Sequence, residues 1–239
     1  MISFGGSATI MQPFWRLRVQ HYICTISEVL FYRVEGGTMT DINLDYFDQF
    51  KKHLQKTILL EDDELEQVFT YFFFKHIPRK SWLLKPLQVS RVESYIVKGL
   101  FQTSVVDDSG RTTILYFPHE DRWVDDLKSF ETETASQMEI YALEDAVLLL
   151  ITRDNMKKLF KDHPVFERFF RILNGNMAIA LQERLLQQLS ANAENQYREF
   201  NLKFPRLQNR LSNKRIAGFL GITPEYFSQM LKSANHKVV

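Results

Sequence analysis

The sequence lacks the residues that build disulfide frameworks, metal–thiolate sites and membrane spans. Its 239 residues include one cysteine, Cys24, which cannot by itself supply an intrachain disulfide, a cysteine-based zinc site or an iron–sulfur cluster. The longest uninterrupted apolar run, residues 147–151, is far shorter than the roughly 20 residues that a transmembrane helix needs. These absences predict a cytoplasmic protein without a membrane partner. A chain of this length can bury a core that needs neither disulfides nor metal.

Net charge is also nearly absent, because 30 basic side chains are balanced by 29 acidic ones. The distribution is uneven, however. Residues 190–239 contain eight basic and three acidic side chains, a net charge of +5, which leaves −4 on the preceding 189 residues. The total charge gives no reason to expect a polyanionic partner. The basic C-terminal segment, attached to an acidic body, gives such a reason.

The first 38 residues differ from the rest of the chain. They begin with a Gly-rich stretch at residues 3–7 and end at Glu35-Gly36-Gly37-Thr38, directly before a second methionine, Met39. No apolar segment typical of a signal peptide follows the early basic residues. Two interpretations stay open: residues 1–38 are a disordered N-terminal extension, or translation starts at Met39 and they are not made.

Residues 39–160 combine two short helices with a series of short strands. Apolar residues recur every three or four positions from Asp41, and the acidic residues 61–64 suit the first turn of a second helix. Beyond residue 70 the pattern changes to short β-branched and aromatic runs separated by turn signals. This spacing predicts an antiparallel sandwich, roll or barrel. The predicted strands are residues 71–77, 81–84, 92–100, 103–106, 112–117, 138–143 and 147–152.

A long helix is predicted after this β-rich region. A short helix at residues 153–160 leads into it. The long helix extends from about Pro164 to Ser190, and Pro164 suits its first turn. Its apolar stripe indicates either a dimer seam within residues 161–190 or packing on the β domain, because periodicity alone does not identify the partner. The residues predicted for the seam are Phe166, Phe170, Leu173, Met177, Leu181 and Leu185.

Residues 211–232 have the pattern of a helix-turn-helix. Ser212 is an N-cap candidate for a short first helix, and Gly221 supplies a turn residue for which a positive φ is cheap. Thr223-Pro224-Glu225 then begins a second helix with a capping hydroxyl, a proline at the first position and an early acid. Residues 191–239 are therefore predicted to be an all-α DNA-binding unit whose second helix enters the major groove.

The second helix, from Pro224 to Lys232, is predicted to make two classes of DNA contact. Gln229 can pair with adenine N6 and N7, and Glu225 can accept a hydrogen bond from cytosine N4. Phosphate contacts position the protein without reading the sequence. The predicted base-reading residues are Glu225, Tyr226, Ser228 and Gln229, and the predicted phosphate contacts are Arg210, Lys214, Arg215, Thr223 and Lys232.

No pattern in the sequence indicates catalysis. It contains no HExxH motif and no phosphate-cradling glycine loop, and no arrangement of Ser, His and Asp suggests a nucleophile. His53, His76 and His119 are isolated, so no haem ligand is indicated. The sequence therefore predicts a protein that is not an enzyme and that has no cofactor.

Together these segments resemble the Crp/Fnr family of bacterial transcription regulators, especially short members in which the chain ends soon after the recognition helix. The resemblance covers roughly residues 43–232. It implies an α+β protein with an N-terminal antiparallel β roll of the cyclic-nucleotide-binding type, a long dimerisation helix and a C-terminal all-α helix-turn-helix. It rests on residues 96–100, 107–111, 115–117, 140–145, 166–168 and 220–225.

The resemblance also implies a ligand pocket that has lost its chemistry. Family members that bind cyclic nucleotide carry a Gly-Glu pair for the ribose and an Arg-Ser pair for the cyclic phosphate. The aligned positions here are Asp125-Asp126 and Ser136-Gln137. Without the guanidinium the bidentate phosphate contact is lost, and two carboxylates repel an anion. We therefore expect no binding of cAMP or cGMP, and an effector of another, unknown kind.

The sequence thus predicts a homodimeric transcription regulator that binds a near-palindromic site with half-sites about one helical turn apart. Double-stranded DNA, a second copy of the chain and an unknown small-molecule effector are the predicted partners, and RNA polymerase is a further candidate. The alternative is a small-ligand sensor whose helix-turn-helix no longer binds DNA.

Overall fold

The computed structural model describes residues 42–107 and 109–236, so the expectations for residues 1–38 lie outside the described residues. The described chain is α+β, as predicted. Its strands are β1 (Phe72–Ile77), β2 (Trp82–Leu84), β3 (Val92–Lys98), β4 (Phe101–Val106), β5 (Thr112–Tyr116), β6 (Trp123–Val124), β7 (Met138–Ala142) and β8 (Ala146–Thr152). Its helices are α1 (Ile42–Gln55), α2 (Asp62–Phe69), α3 (Leu127–Thr132), α4 (Arg153–Asp162), α5 (Val165–Ser190), α6 (Ala193–Lys203), α7 (Asn213–Leu220) and α8 (Pro224–His236).

The strands form two four-stranded antiparallel sheets, in the orders β1-β8-β3-β6 and β2-β7-β4-β5. Strand β8 lies inside the first sheet and is buried on both faces. Its Leu148 and Leu150 side chains join the core between the sheets, whereas Val147, Leu149 and Ile151 face the helices. A strand covered on both sides needs apolar residues at every position, which explains why the longest apolar run of the sequence is found here.

Helices α1, α2 and α4 cover the outer face of the first sheet, and the first turns of α5 join them. Phe166, Phe169 and Phe170 are only 0%, 2% and 6% exposed, in a core that also contains Tyr95 and Trp123. This corrects the seam prediction at its N-terminal end. Phe166 and Phe170 are consumed by the protein's own core, because the strand residues that they contact present a matching apolar surface.

The rest of α5 is progressively more exposed. Leu173 and Met177 are half-buried, whereas Leu181 and Leu185 are 52% and 56% exposed and Leu189 is 77% exposed. None of the described helices, α5 included, is both long and apolar enough to cross a membrane.

A further apolar core joins the β-sheet region to the C-terminal helices. We call β1–β8 with α1–α4 the β-roll body, and α6–α8 the helical module. Apolar side chains from both meet in one buried cluster, which Arg184 of α5 borders. The β-roll body contributes Leu100, Ile114, Phe117 and Leu143, and the helical module contributes Phe200, Leu207, Leu211, Ile216, Ala217, Leu220, Phe227 and Met230.

Candidate nucleic-acid interface

Helices α7 and α8 form the helix-turn-helix that the sequence predicts. Gly221 follows α7 with φ 72° and ψ 22°, the left-handed conformation that glycine adopts without strain, and it ends the helix. The Ile222 N–H then donates to the carbonyl oxygen of Ala217 at 3.0 Å. Thr223 caps α8, because its hydroxyl oxygen accepts from the Tyr226 N–H at 3.2 Å.

One face of α8 anchors the helix and the other is open to solvent. Phe227 and Met230 are buried in the core shared with the β-roll body. The predicted base-reading residues lie on the other face and are exposed: Glu225, Tyr226, Ser228 and Gln229. The hydroxyl of Ser228 donates to the carbonyl oxygen of Pro224 at 2.8 Å, so its proton is already used within the helix.

The predicted phosphate contacts divide into two groups. Lys214, Thr223 and Lys232 are exposed. Arg215 is half-buried, and its Nε donates to Oε1 of Gln102 on β4 at 3.2 Å. Arg215 therefore contacts the β-roll body in this arrangement rather than extending into solvent.

Arg210 departs furthest from its predicted role. It precedes α7, and its guanidinium lies between Glu120, which follows β5, and Glu144, in the turn before β8. Nη1 and Nη2 contact Oε2 and Oε1 of Glu120 at 2.7 and 2.9 Å, and Nε and Nη2 contact Oε1 and Oε2 of Glu144 at 2.9 and 2.6 Å. Both carboxylates are held in bidentate fashion, the strongest geometry for such a pair. The prediction is corrected for this arrangement: Arg210 joins the helical module to the β-roll body.

The ionisation of this cluster follows from its geometry. The hydrogen bonds to Glu144 and then Glu120 raise the pKa of Arg210, so it stays charged. Burial opposes ionisation of Glu120, but hydrogen bonds from Arg210 and from the Gly99 N–H, at 2.8 Å, outweigh it and hold the pKa of Glu120 below its usual value. Arg210 and Glu120 are therefore both charged at neutral pH, and Glu144 is the second acidic side chain of the cluster.

Arg184 makes a second connection that the sequence did not indicate. From α5 its Nη2 donates to the carbonyl oxygens of Ile114 and Phe219, at 2.9 and 3.3 Å. Its guanidinium also lies over the Phe219 ring, 3.9 Å from the ring centroid. One side chain thus holds β5 and α7 against the long helix.

The predicted remnant of a ligand pocket is filled by its own side chains. Asp126 caps α3 by accepting from the Ser129 N–H at 3.1 Å, and its second oxygen accepts from the Ser136 hydroxyl at 2.7 Å. Asp125, Asp126 and Ser136 are buried, whereas Gln137 is exposed. Asp126 and Ser136 therefore meet, and their side-chain oxygens hold the loop together. The expectation that cAMP and cGMP do not bind here stays a prediction.

A buried carboxyl pair lies beside this loop. Glu93 on β3 is 5% exposed and hydrogen-bonds Asp125, which requires that one of the two groups carries a proton. Burial raises the pKa of Asp125 to about 6; the bond to Glu93 opposes this shift, and the charge of Asp126 adds to it. Burial and then the charge of Asp125 raise the pKa of Glu93 well above its usual value. Sequence reading missed Glu93 because an acid within a strand pattern reads as a solvent-facing position.

The pair predicts that stability falls as the pH rises. Because the folded pKa of Asp125 is about 6 and its ordinary value is 3.8, the folded state is unpenalised below about pH 4 and loses stability as the pH rises through 6. Asp125→Asn removes this penalty. We expect it to raise the free energy of unfolding by about 2 kcal/mol at pH 8 and by little at pH 4.5, measured by urea unfolding at both values.

Asp126→Asn is the matched control, because it makes the same change one residue away. Asp126 accepts hydrogen bonds from Ser129 and Ser136, so its substitution should bring no gain at pH 8. Equal effects of Asp125→Asn at the two pH values would contradict the shared-proton interpretation.

Two of the histidines that the sequence leaves isolated, His53 and His119, have partners in the structure. His53 Nδ1 lies 2.8 Å from Oδ1 of Asp121, and its Nε2 accepts from the indole N–H of Trp123 at 3.1 Å. His119 Nδ1 lies 3.0 Å from the carbonyl oxygen of Phe117. Within residues 42–107 and 109–236, no three His, Cys, Asp or Glu side chains are arranged to hold a metal ion.

Comparison with solved structures identifies the fold. The c-di-GMP-responsive global regulator CLP of Xanthomonas campestris superposes with a TM-score of 0.61 at 12% identity, over 74% of this chain and 93% of that one. FixK2 of Bradyrhizobium japonicum superposes with a TM-score of 0.62 at 15% identity, over 70% and 86%. A Crp/Fnr-family transcriptional regulator from Eubacterium rectale gives 0.59 at 16% identity, over 81% and 88%.

At these identities the likeness shows the fold alone. The structural neighbours are Crp/Fnr regulators, and the fold that they share with this chain is the cyclic-nucleotide-binding β roll with a helical C-terminal region. No family model and no curated protein sequence matches the chain. The fold predicted from the sequence is therefore confirmed.

Proposed function

We propose that the chain is a cytoplasmic, non-enzymatic transcription regulator of the Crp/Fnr type that binds a near-palindromic DNA site as a homodimer. The observation that carries this proposal is the exposed face of α8. A helix of a helix-turn-helix that is fixed by Phe227 and Met230 and presents Glu225, Tyr226 and Gln229 to solvent has the arrangement needed to read base edges in a major groove.

Charge supports the same proposal. The C-terminal 50 residues carry a net charge of +5 on a chain whose total is +1, so the excess of cations lies with the helix-turn-helix. Lys214 in the first turn of α7 and Thr223 at the start of α8 are exposed, so both are open to contact with a phosphate backbone if α8 enters the groove.

The second half of α5 supports a dimer. Large apolar side chains are exposed along it, and a second copy of the same helix offers the matching surface. A two-fold axis along α5 would also give the two α8 helices the symmetry that a near-palindromic site requires. The exposed positions are Ile179, Leu181, Leu185, Leu186 and Leu189, at 56%, 52%, 56%, 57% and 77%.

The effector is proposed to be something other than a cyclic mononucleotide. The loop that contains Asp125, Asp126 and Ser136 is closed by its own hydrogen bonds and is acidic, so it offers a cyclic phosphate no cation. CLP is described as responsive to c-di-GMP, so a protein with this fold can respond to a ligand of another kind.

Gln229→Ala tests the DNA-reading role of α8. The wild-type chain first selects duplexes from random sequence. The affinity of the variant for these duplexes should be about tenfold lower, because a bidentate pair with adenine contributes about 1–3 kcal/mol of discrimination. Binding to unselected duplex should not change, because phosphate contacts supply it. Fluorescence anisotropy over a series of salt concentrations measures both affinities.

Gln67→Ala is the control, because Gln67 is equally exposed but lies on α2 in the β-roll body. It should leave both affinities unchanged. If no duplex of any sequence binds at low salt, the alternative is favoured, a ligand sensor whose helix-turn-helix no longer binds DNA.

A further inference from the structure

The contact between the helical module and the β-roll body uses cations that a DNA-binding unit needs. Arg210 is bound by Glu120 and Glu144, and Arg215 donates to Gln102. Arg210 precedes α7, the helix before the proposed recognition helix, and Arg215 lies in the first turn of α7. Arg210 and Arg215, both predicted to contact phosphate, are therefore bound by groups of the same chain.

The local charge opposes DNA as well. The cluster around Arg210 has two acidic side chains for one basic side chain, beside a surface proposed to meet phosphate. A phosphate that approached Arg210 in this arrangement would meet both carboxylates, and the three cannot share one guanidinium fork without losing bidentate bonds. The carboxylates and a DNA phosphate are thus alternative partners of Arg210.

The cluster is also coupled to the strands of the β-roll body. Oε1 of Glu120 accepts from the Gly99 N–H at the β3–β4 turn, and Glu144 lies in the turn between β7 and β8. A displacement of either turn would change the bidentate geometry. The contact is therefore placed where a change within the body can loosen it.

We propose that the docked arrangement is a closed form in which Glu120 and Glu144 compete with a DNA phosphate for Arg210, so that releasing the helical module raises DNA affinity. The inference rests on the proposed function, because it describes what restrains the DNA-binding surface proposed there. It assigns the restraint to two carboxylates of the same chain.

The test is the full chain carrying Glu120→Gln and Glu144→Gln. Its affinity for random-sequence duplexes long enough for two half-sites should rise about tenfold, because apparent affinity grows with the fraction of open molecules. The slope of log affinity against log salt should steepen by about 1.8, because each of the two protomers gains one phosphate contact. Hydrogen exchange of β5 and α7 should become faster, since the contact between them is loosened.

A control and a third variant separate competition from simpler effects. Asp63→Asn with Glu66→Gln removes the same two charges from exposed positions on α2 and should raise affinity far less. Adding Arg210→Gln to the Glu120 and Glu144 substitutions should abolish the gain. A gain that persists without Arg210, or one that the α2 control matches, would overturn the proposal.

The outcomes also separate this inference from the proposed function. If the wild-type chain binds duplex and the Glu120/Glu144 variant binds it no better than the α2 control, the closed form is wrong and the regulator proposal stands. If exchange of β5 and α7 accelerates and still no variant binds duplex, the DNA-binding proposal fails and the competition fails with it.

Discussion

Replacing Leu185 and Leu189 by glutamate is expected to turn the proposed dimer into monomers. These side chains are 56% and 77% exposed on one chain, and a second copy would bury them. Burial of a leucine contributes about 1.5–3 kcal/mol, and the substitutions remove four leucines per dimer and add four charges to the seam. The dissociation constant of the dimer should therefore rise by about a thousandfold or more, as measured by sedimentation equilibrium.

DNA binding should weaken when dimerisation is lost. A monomer presents one recognition helix, so it loses the gain of two linked contacts, and affinity for a two-half-site duplex should fall by about a hundredfold. Affinity for a single half-site should be nearly unchanged.

Leu59→Glu with Leu202→Glu is the matched control, since these leucines are 91% and 71% exposed and lie outside α5. That variant should remain dimeric. A Leu185/Leu189 variant that is folded by circular dichroism and still dimeric would show that the seam lies elsewhere.

Gly99→Ala is expected to be the most destabilising small substitution in the β-roll body. Gly99 has φ 113°, a conformation that side chains rarely adopt, and an added Cβ would lie 2.6 Å from Cβ and 2.9 Å from Cα of Ala146. The second of these atoms belongs to the backbone of β8, an inner strand of its sheet, so Ala146 cannot move aside. We expect a loss of about 3 kcal/mol or more in the free energy of unfolding, seen in urea titration.

Gly221→Ala separates backbone strain from crowding. Gly221 also has a positive φ, 72°, but an added Cβ would meet no atom within 4 Å. Its substitution should cost about 1 kcal/mol, the price of the left-handed conformation alone. If the two variants lost the same stability, the contact with Ala146 would not be the cause of the loss at Gly99.

Sequence reading succeeded where the signal is local. The helix-turn-helix follows from Ser212, Gly221 and Thr223, each of which acts through its own backbone conformation or its near neighbours. Helix α1 follows from apolar residues that recur every three or four positions, and the strands from β1 to β5 follow from short β-branched and aromatic runs between turn signals. Helix α5 was predicted from about Pro164 to Ser190 and is observed from Val165 to Ser190.

It failed where an element depends on distant partners. Strand β6 has two residues, Trp123 and Val124, and exists because it pairs with Ser94 and Tyr95 of β3. Two residues have no period to detect. Helices α3 and α6 are led by the ordinary N-cap residues Asp126 and Asn192, which are too common in loops to identify a helix alone.

The same limit applies to the site. The four residues predicted to read bases are exposed, because the amphipathic pattern of α8 determines which face is buried. Arg210 is in sequence simply a basic residue beside a helix-turn-helix. Its partners Glu120 and Glu144 are 90 and 66 residues away along the chain, and no local pattern connects them. In the same way the predicted seam extended too far toward Phe166, because periodicity does not distinguish a chain's own core from an interface with a partner.

The apolar cluster shared by the two parts of the chain limits how freely they could be recombined. A chimaera that joined this helical module to an unrelated sensor would leave Leu207, Leu211 and Ile216 without the surface of Leu100, Ile114 and Phe117 that now covers them. The β-roll body of this chain, once separated from its helical module, would in turn expose an apolar patch of the kind that promotes aggregation. Transplanting the DNA-binding end of this protein would therefore require carrying over, or redesigning, the edge of the sheet on which it rests.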